Sequence, residues 1–226
     1  MGASLIRSWA LKTSAFFDAV AENYDRDLGR SLDEVRSRLD GVIPRGSHVL
    51  DLGIGTGREL VVLDELNCIV TGLDSSERML EQAKERGRAK SLILGDIWAP
   101  WAVDDKTHDV VMALHGTLAH PPNGAEYHLE ALANECARVL RPDGMVYFEV
   151  PTAEAMAASF HEGYPIAITP VSDRTAQCVD TRSGIKLLAV SWSEAAWTRA
   201  FEPLFWLSFA ASTYELCVIA SPREPE

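Results

Sequence analysis

Apolar residues recur along this chain in two rhythms, and the alternation between them lays out the elements. Short apolar runs of strand length occupy 49–52, 69–73, 91–94, 109–114 and 145–150. Between them apolar positions return every three or four residues: Leu60, Leu63 and Leu66, then Met79, Leu80 and Ala83, then Leu129, Leu132, Cys136 and Val139. That spacing predicts helices over 58–66, to about residue 85, and over 124–140. Strands alternating with helices predict an α/β fold built on a mainly parallel sheet. Upstream, Leu5, Trp9, Phe16, Phe17 and Val20 give an apolar face to one or two helices over 4–26. Leu32, Val35 and Leu39 mark another, which Pro44 and Gly46 end. Downstream, a helix over 193–201 precedes runs at 205–210 and 214–220. The Ala-Ser-Thr between those runs is so short that the two strands must be antiparallel.

The most informative stretch is His48 to Gly57, which reads His-Val-Leu-Asp-Leu-Gly-Ile-Gly-Thr-Gly. A buried-strand pattern carrying one acid, Asp51, breaks into three alternating glycines and then turns helical. Gly53, Gly55 and Gly57 permit backbone angles and close approach that side chains block. In an open α/β sheet this turn is where a nucleotide-like ligand sits, although the glycines alone read equally as a tight structural turn. Asp74 lies 21 residues beyond Gly53, at the end of the next strand. A carboxylate there is placed to accept from both hydroxyls of a ribose. Two residues argue against a dinucleotide. Arg58 replaces the third glycine of Gly-x-Gly-x-x-Gly, and Asp51 would repel a diphosphate while attracting an ammonium and a sulfonium.

With 226 residues the chain suits one domain with a substantial core. Its net charge of -12 and pI near 4.9 disfavour a nucleic-acid partner, which leans on lysine and arginine clusters. Arg7 and Lys12 interrupt any secretory signal, no run approaches a membrane span, and a cytoplasmic location is expected. Cys68, Cys136, Cys178 and Cys217 show neither close pairing nor metal-ligand spacing, so no metal is expected. Cys136 and Cys217 sit in apolar patterns and read as small buried hydrophobes.

Five ordered motifs carry a family resemblance: 49–57, Gly72-Leu-Asp-Ser-Ser with Met79-Leu80, Gly95-Asp-Ile, His108-Asp-Val-Val, and Arg138-Val-Leu-Arg-Pro-Asp-Gly. Together they resemble class I S-adenosylmethionine-dependent methyltransferases, in the small-molecule branch that includes ubiquinone- and biotin-pathway enzymes. Phe17-Asp18 with Asn23-Tyr24-Asp25 resembles that branch's N-terminal helix. The likeness spans roughly 16–150. It implies a Rossmann-like seven-stranded, mainly parallel sheet with an antiparallel C-terminal hairpin and N-terminal covering helices. One domain is expected, with a helical cover at 1–40, a cofactor-binding core at 47–150, a substrate lid at 152–192, and the last helix and strands at 193–220. The implied cofactor is S-adenosylmethionine, and the implied reaction is in-line methyl transfer to a small molecule by a monomer or homodimer. A fold member that binds the adenosyl ligand without transferring methyl is the alternative.

The resemblance assigns Tyr24, Asp51, Gly53, Gly55, Gly57, Asp74, Ser75, Met79, Asp96, Ile97 and Leu114 to the donor. Asp96 and the Ile97 amide fall at the adenine positions. Tyr24 reads equally as a packed helix aromatic, and Met79 as a core methionine. Either Ser75 or Ser76 is placed to cap the following helix. Trp98 and Trp101 flank Pro100, where one stacks on the adenine or both fill an apolar gap. Trp192, Trp197 and Trp206 fit an aromatic acceptor or plain core packing. The polar loop His115-Gly-Thr-Leu-Ala-His120 follows the fourth strand and faces the ligand crevice. His115 and His120 are therefore the candidate catalytic residues, with packing the plainer role for each. In the lid, His161, Tyr164 and Arg174 are further acceptor candidates.

Overall fold

The computed structural model describes residues 13–27, 29, 31–122, 127–157, 166–212 and 215–223. Helix α1 covers 13–20, and a 3-10 turn (Ala21–Asn23) leads into α2 (Tyr24–Asp27) and α3 (Leu32–Leu39). The alternating core follows as β1 (His48–Leu52), α4 (Leu60–Glu65), β2 (Ile69–Asp74), α5 (Glu77–Arg86), β3 (Ser91–Leu94), β4 (His108–Ala113), α6 (Tyr127–Val139) and β5 (Leu140–Pro151). Local chemistry sets the helix ends. Ser31 and Glu34 form a reciprocal capping box on α3, Ser76 caps α5 by accepting from the Met79 amide, and Gly87 closes α5 in the left-handed region. The cap on α5 is thus Ser76, not Ser75.

Seven strands form one sheet in the order β3-β2-β1-β4-β5-β10-β9, parallel as far as β5. The last two, β9 (Phe205–Ala211) and β10 (Glu215–Pro222), pair antiparallel with each other, and β10 pairs antiparallel with β5. Period-two alternation divides the core. Val49, Val110 and Met112 face α3 and α4 beside Val35, Leu39, Leu60 and Leu63. Leu50, Leu52, Val111 and Phe148 face the other way, onto Leu129 and Cys136 of α6 and Trp197 and Phe201 of α8 (Glu194–Phe201). From β1 the chain steps outward to β2 and β3, then returns to β4 on the opposite side of β1. That reversal opens a crevice at the carboxyl ends of β1 and β4.

Two regions differ from the pattern-based expectation. The fifth strand begins before its apolar run at 145–150: β5 starts at Leu140 opposite His108, with Arg141-Pro-Asp-Gly inside it. The four residues are taken up as a register shift before Met145 meets Val110. Second, the segment expected as a substrate lid, 152–192, has an architecture of its own after α7 (Ala153–Ala157). It carries a separate antiparallel sheet of β6 (Ile166–Ser172), β7 (Thr175–Asp180) and β8 (Lys186–Val190). Ala176, Cys178, Leu187 and Ala189 on that sheet pack against Phe16, Val20 and Ala21 of the N-terminal segment, so the cover and the insertion share one apolar cluster. Among the tryptophans, Trp192 and Trp197 are core residues, whereas Trp206 is 62% exposed on β9 beneath the Arg223 guanidinium. Cys136 is buried as expected, but Cys217 is only half-buried beside the Tyr147 hydroxyl.

Candidate functional site

The loop after β1 forms the floor of the crevice. Gly53, Gly55 and Gly57 all have positive φ, but their surroundings differ. A Cβ on Gly53 would lie 2.4 Å from the Thr117 methyl, and one on Gly57 would meet Leu60 at 2.7 Å and Ala83 at 3.1 Å. Gly57 therefore lets α4 and α5 pack together. At Gly55 a Cβ would project into open space, with Gly53 O its nearest neighbour at 3.9 Å. The loop is fastened from below: the Gly55 amide donates to Asp74 Oδ2 at 2.8 Å, while the Ser76 amide donates to Asp74 Oδ1 at 2.9 Å. Burial raises the Asp74 carboxyl pKa, and these amides work against that rise.

Over this floor lies a pocket lined by Tyr24, Asp51, residues 53–56, Arg58, Glu59, Leu114, His115 and Thr117. Of the residues singled out in the sequence it gathers Tyr24, Asp51, Gly53, Gly55, Leu114 and His115. Gly57, Asp74, Ser75, Met79, Asp96, Ile97 and His120 are not on its walls. Met79 is fully buried in the cluster that holds Phe16 and Val20. Asp96 closes a turn by accepting from the Trp98 amide at 2.9 Å, and burial raises its pKa. Nearby, Trp101 is buried with its indole N–H on Ile97 O, and Trp98 meets His128 edge-on.

The N-terminal segment is tied across the glycine loop. Thr56 Oγ1 donates to Asp25 at 2.6 Å, Arg86 pairs with Asp25 and donates to Thr56 O, and Ser76 Oγ donates to Asp18 at 2.6 Å. His120 sits on the other flank, its ring N–H donating to Leu188 O of β8 at 2.9 Å and its ring edge-on to Phe17. Burial lowers its pKa. His120 thus joins the β4 loop to the second sheet. His161 and Tyr164 lie outside the described residues, and Arg174 precedes β7 at an exposed position.

Three buried charged residues that the sequence reading did not select complete the site. Arg58, only 8% exposed, donates through Nε and Nη2 to Glu59 Oε1 at 3.1 and 2.8 Å. His115 Nε2 reaches the same oxygen at 2.8 Å. Burial opposes ionisation of Glu59, but the hydrogen bonds and charges of His115 and Arg58 outweigh it and hold the carboxyl at about 2. Behind His115 stands Glu149 of β5, which accepts from the Tyr147 hydroxyl at 3.1 Å and faces Arg38 at 3.2 Å. Asp51 is the opposite case. Burial, then the charges of Glu59 and Asp74, push its carboxyl well above the ordinary range. An acid inside an otherwise apolar strand is the signal both share: it marked Asp51 in 49–52, and Glu149 interrupts 145–150 in the same way.

Residues 49–144 match the family described as methyltransferase domain. Trans-aconitate 2-methyltransferase of Variovorax paradoxus is 30% identical over 135 residues, covering 59% of this chain and 49% of that protein. Ubiquinone biosynthesis O-methyltransferase of Vibrio vulnificus is 31% identical over 121 residues, covering 52% and 48%. The chain thus spans about half the length of these relatives. Among solved structures, a DhpI complex with SAM and HEP superposes with a TM-score of 0.68 at 24% identity, covering 98% of this chain and all of that one. That likeness shows the fold. The matched methyltransferase domain spans the glycine loop and the strands around it, the stretch in which the chain is similar to these methyltransferases.

Proposed function

We propose that this chain transfers the methyl group of S-adenosylmethionine to a small-molecule acceptor. The observation that carries the reading is the pocket over the glycine loop, where two buried acids, Asp51 and Glu59, stand beside a guanidinium whose Nη1 has no partner. That set suits a ligand end bearing a sulfonium, an ammonium and a carboxylate. Cations stabilise the ionised acids, and an unpaired buried donor favours an anionic oxygen. It does not suit a diphosphate, which the acids would repel.

The open space at Gly55 lets a ligand approach the backbone closely. Asp74 keeps a lone pair beyond those used by the Gly55, Ser75 and Ser76 amides, and it is assigned to the ribose. Ser75, Asp96 and the Ile97 amide follow the ends of β2 and β3 and are assigned to the nucleoside end. Tyr24, Leu114 and Thr117 wall the reacting end. The bound donor supplies a methyl group already activated by its sulfonium. The protein's task is therefore to align donor and acceptor and keep water out, an effect worth about 7–11 kcal/mol in well-oriented systems. The α1 segment and the second sheet, joined through one apolar cluster and tied to the β4 loop by His120, are assigned as the cover over donor and acceptor. His115 and His120 lie on the acceptor side.

The test is incubation with methyl-labelled donor and a panel of small hydroxyl and amine compounds. Label in at least one compound, matched by an equal yield of S-adenosylhomocysteine, is the expected result. Tight adenosyl-ligand binding with no transfer to any acceptor would instead support a binder that does not catalyse.

A further inference from the structure

One ion pair outside the pocket walls closes a ring with the glycine loop. Arg86, the last residue of α5, pairs with Asp25 of α2 and donates through Nε to Thr56 O at 2.7 Å. Thr56 Oγ1 completes the ring by donating to the other oxygen of the Asp25 carboxylate at 2.6 Å. The planar guanidinium is what lets one side chain serve a carboxylate and a carbonyl at once. Thr56 is 2% exposed and lines the pocket, whereas the Arg86 and Asp25 side chains are 30% and 32% exposed. The ring thus runs from the surface to the glycine loop.

Arg86 is the end of a ladder. Arg78, Gln82 and Arg86 recur at helical spacing and share one side of α5. They meet the N-terminal segment in the same order: the Arg78 amide donates to Asp18 at 3.2 Å, Gln82 Nε2 donates to Ala21 O at 2.7 Å, and Arg86 pairs with Asp25. Tyr24 lies between the last two rungs, lines the pocket and meets Phe17 edge-on at 6.4 Å. Further along, Asp27 pairs with Arg182 in the turn between β7 and β8, so that tie leads to the second sheet and not to the glycine loop. Gly29 then passes so close to Arg58 Nη1 and Asp25 O that a Cβ there would collide with both, so the segment has little slack. A partly exposed ion pair adds little to stability. What the ring fixes is position.

Resting on the donor reading of this pocket, we propose that Arg86 is a positioning residue for the methyl donor: by holding Asp25 and Thr56 O together it sets Tyr24 over the bound ligand. Arg86 itself stands outside the pocket walls and is assigned no bond to the donor. It acts through two neighbours. Its bond to Thr56 O steadies the loop whose open side at Gly55 admits the ligand, and its pairing with Asp25 steadies the residue next to Tyr24. Without the guanidinium, the hydroxyl bond from Thr56 is all that remains of the ring. Ordering Tyr24 then falls to the ligand, and binding weakens because the wall is no longer preorganised.

Binding tests this without knowledge of the acceptor. S-adenosylhomocysteine is titrated calorimetrically into the protein and its variants, with denaturant unfolding measured alongside. Arg86→Met is expected to weaken binding about tenfold at full stoichiometry, with little change in the unfolding midpoint. Arg182→Met breaks the tie to the second sheet and leaves the ring intact, so it is expected to change the affinity by less than about twofold. The decisive readout is the coupling to Tyr24. In a Tyr24→Ala background Arg86→Met is expected to add almost nothing, because the residue it positions is gone. If Arg86→Met does not fold, Asp25→Asn breaks the same ion pair at nearly constant shape and takes its place in the cycle, with the same expected loss. Losses that add in full in the double variant would overturn the proposal, because a merely structural role behaves that way. An unchanged Kd in Arg86→Met, or an equal loss in Arg182→Met, would overturn it as well. Absence of binding to the unaltered protein would remove the donor reading itself, and the inference with it.

Discussion

The sheet buries two very different regions within a few residues of each other. On the face covered by α6 and α8, Trp197, Phe201, Phe148 and Phe205 meet ring to ring at 5.4–6.1 Å, with no charge among them. At the carboxyl rim, the ends of the same strands bury Asp51, Glu59, Arg58, His115 and Glu149, three of which leave a polar atom unpartnered. Apolar burial needs no partner and stabilises in proportion to the area removed from water. Buried charge stabilises only when fully paired, so a half-satisfied group at the mouth of a pocket is arranged for something that is not protein. The first region explains why the chain folds, and the second explains where it acts.

The largest effect expected from breaking this contrast is in the apolar region. Trp197→Ala should cost about 3–5 kcal/mol in denaturant unfolding, because the void cannot collapse around the neighbouring rings of Phe148 and Phe201. If the variant still folds, its donor affinity should change little, since Trp197 is absent from the pocket walls. Next is the acid limb of the stability profile. The Glu59 carboxyl titrates at about 2 when folded, against 4.5 without its partners, so its stabilisation is complete above pH 4.5 and is lost as pH falls toward 2. The loss should be about 3 kcal/mol. Glu59→Gln should flatten that limb in pH-dependent unfolding, and an unchanged acid slope would contradict the pairing with His115 and Arg58.

A third effect belongs to the join between the regions. Asp74→Ala should weaken donor binding by about tenfold or more, at least about 1.4 kcal/mol, since it removes the carboxylate assigned to the ribose and frees the Gly55 amide it holds. An unchanged Kd would remove Asp74 from the donor site. The smallest effect sharpens the comparison most finely. Gly55→Ala places a methyl in open space and should cost about 1–2 kcal/mol of stability for its positive φ, with a clear loss of donor affinity. Gly57→Ala adds a collision with Leu60 to the same backbone cost, so it should lose more stability and less affinity.

The fold was legible wherever one face of an element is buried, because burial imposes a period. The central strands, the α6 face and the antiparallel end were all readable for that reason. The second sheet was not. The β6 pattern leaves Ala167, Thr169 and the residues to Ser172 exposed, Pro170 interrupts it, and its buried partners on β7 are small. The glycine loop, Asp51 and His115 were legible as a site, but Arg58 and Glu59 were read as a departure from a motif and as a helix start. Single charged residues have no period, and only the fold brings Glu149, 90 positions after Glu59, to the far side of His115. Gly57 shows the converse: it belongs to the motif in sequence, yet in space it serves helix packing.

The central claim is that the pocket over Gly53–Thr56 takes an adenosyl donor. Calorimetric titration of the protein with S-adenosylhomocysteine, with a nicotinamide dinucleotide as control, tests it most directly. The account predicts micromolar, saturable binding of the adenosyl ligand, weakened by Asp74→Ala, and no binding of the dinucleotide. Selective binding of the dinucleotide would contradict it.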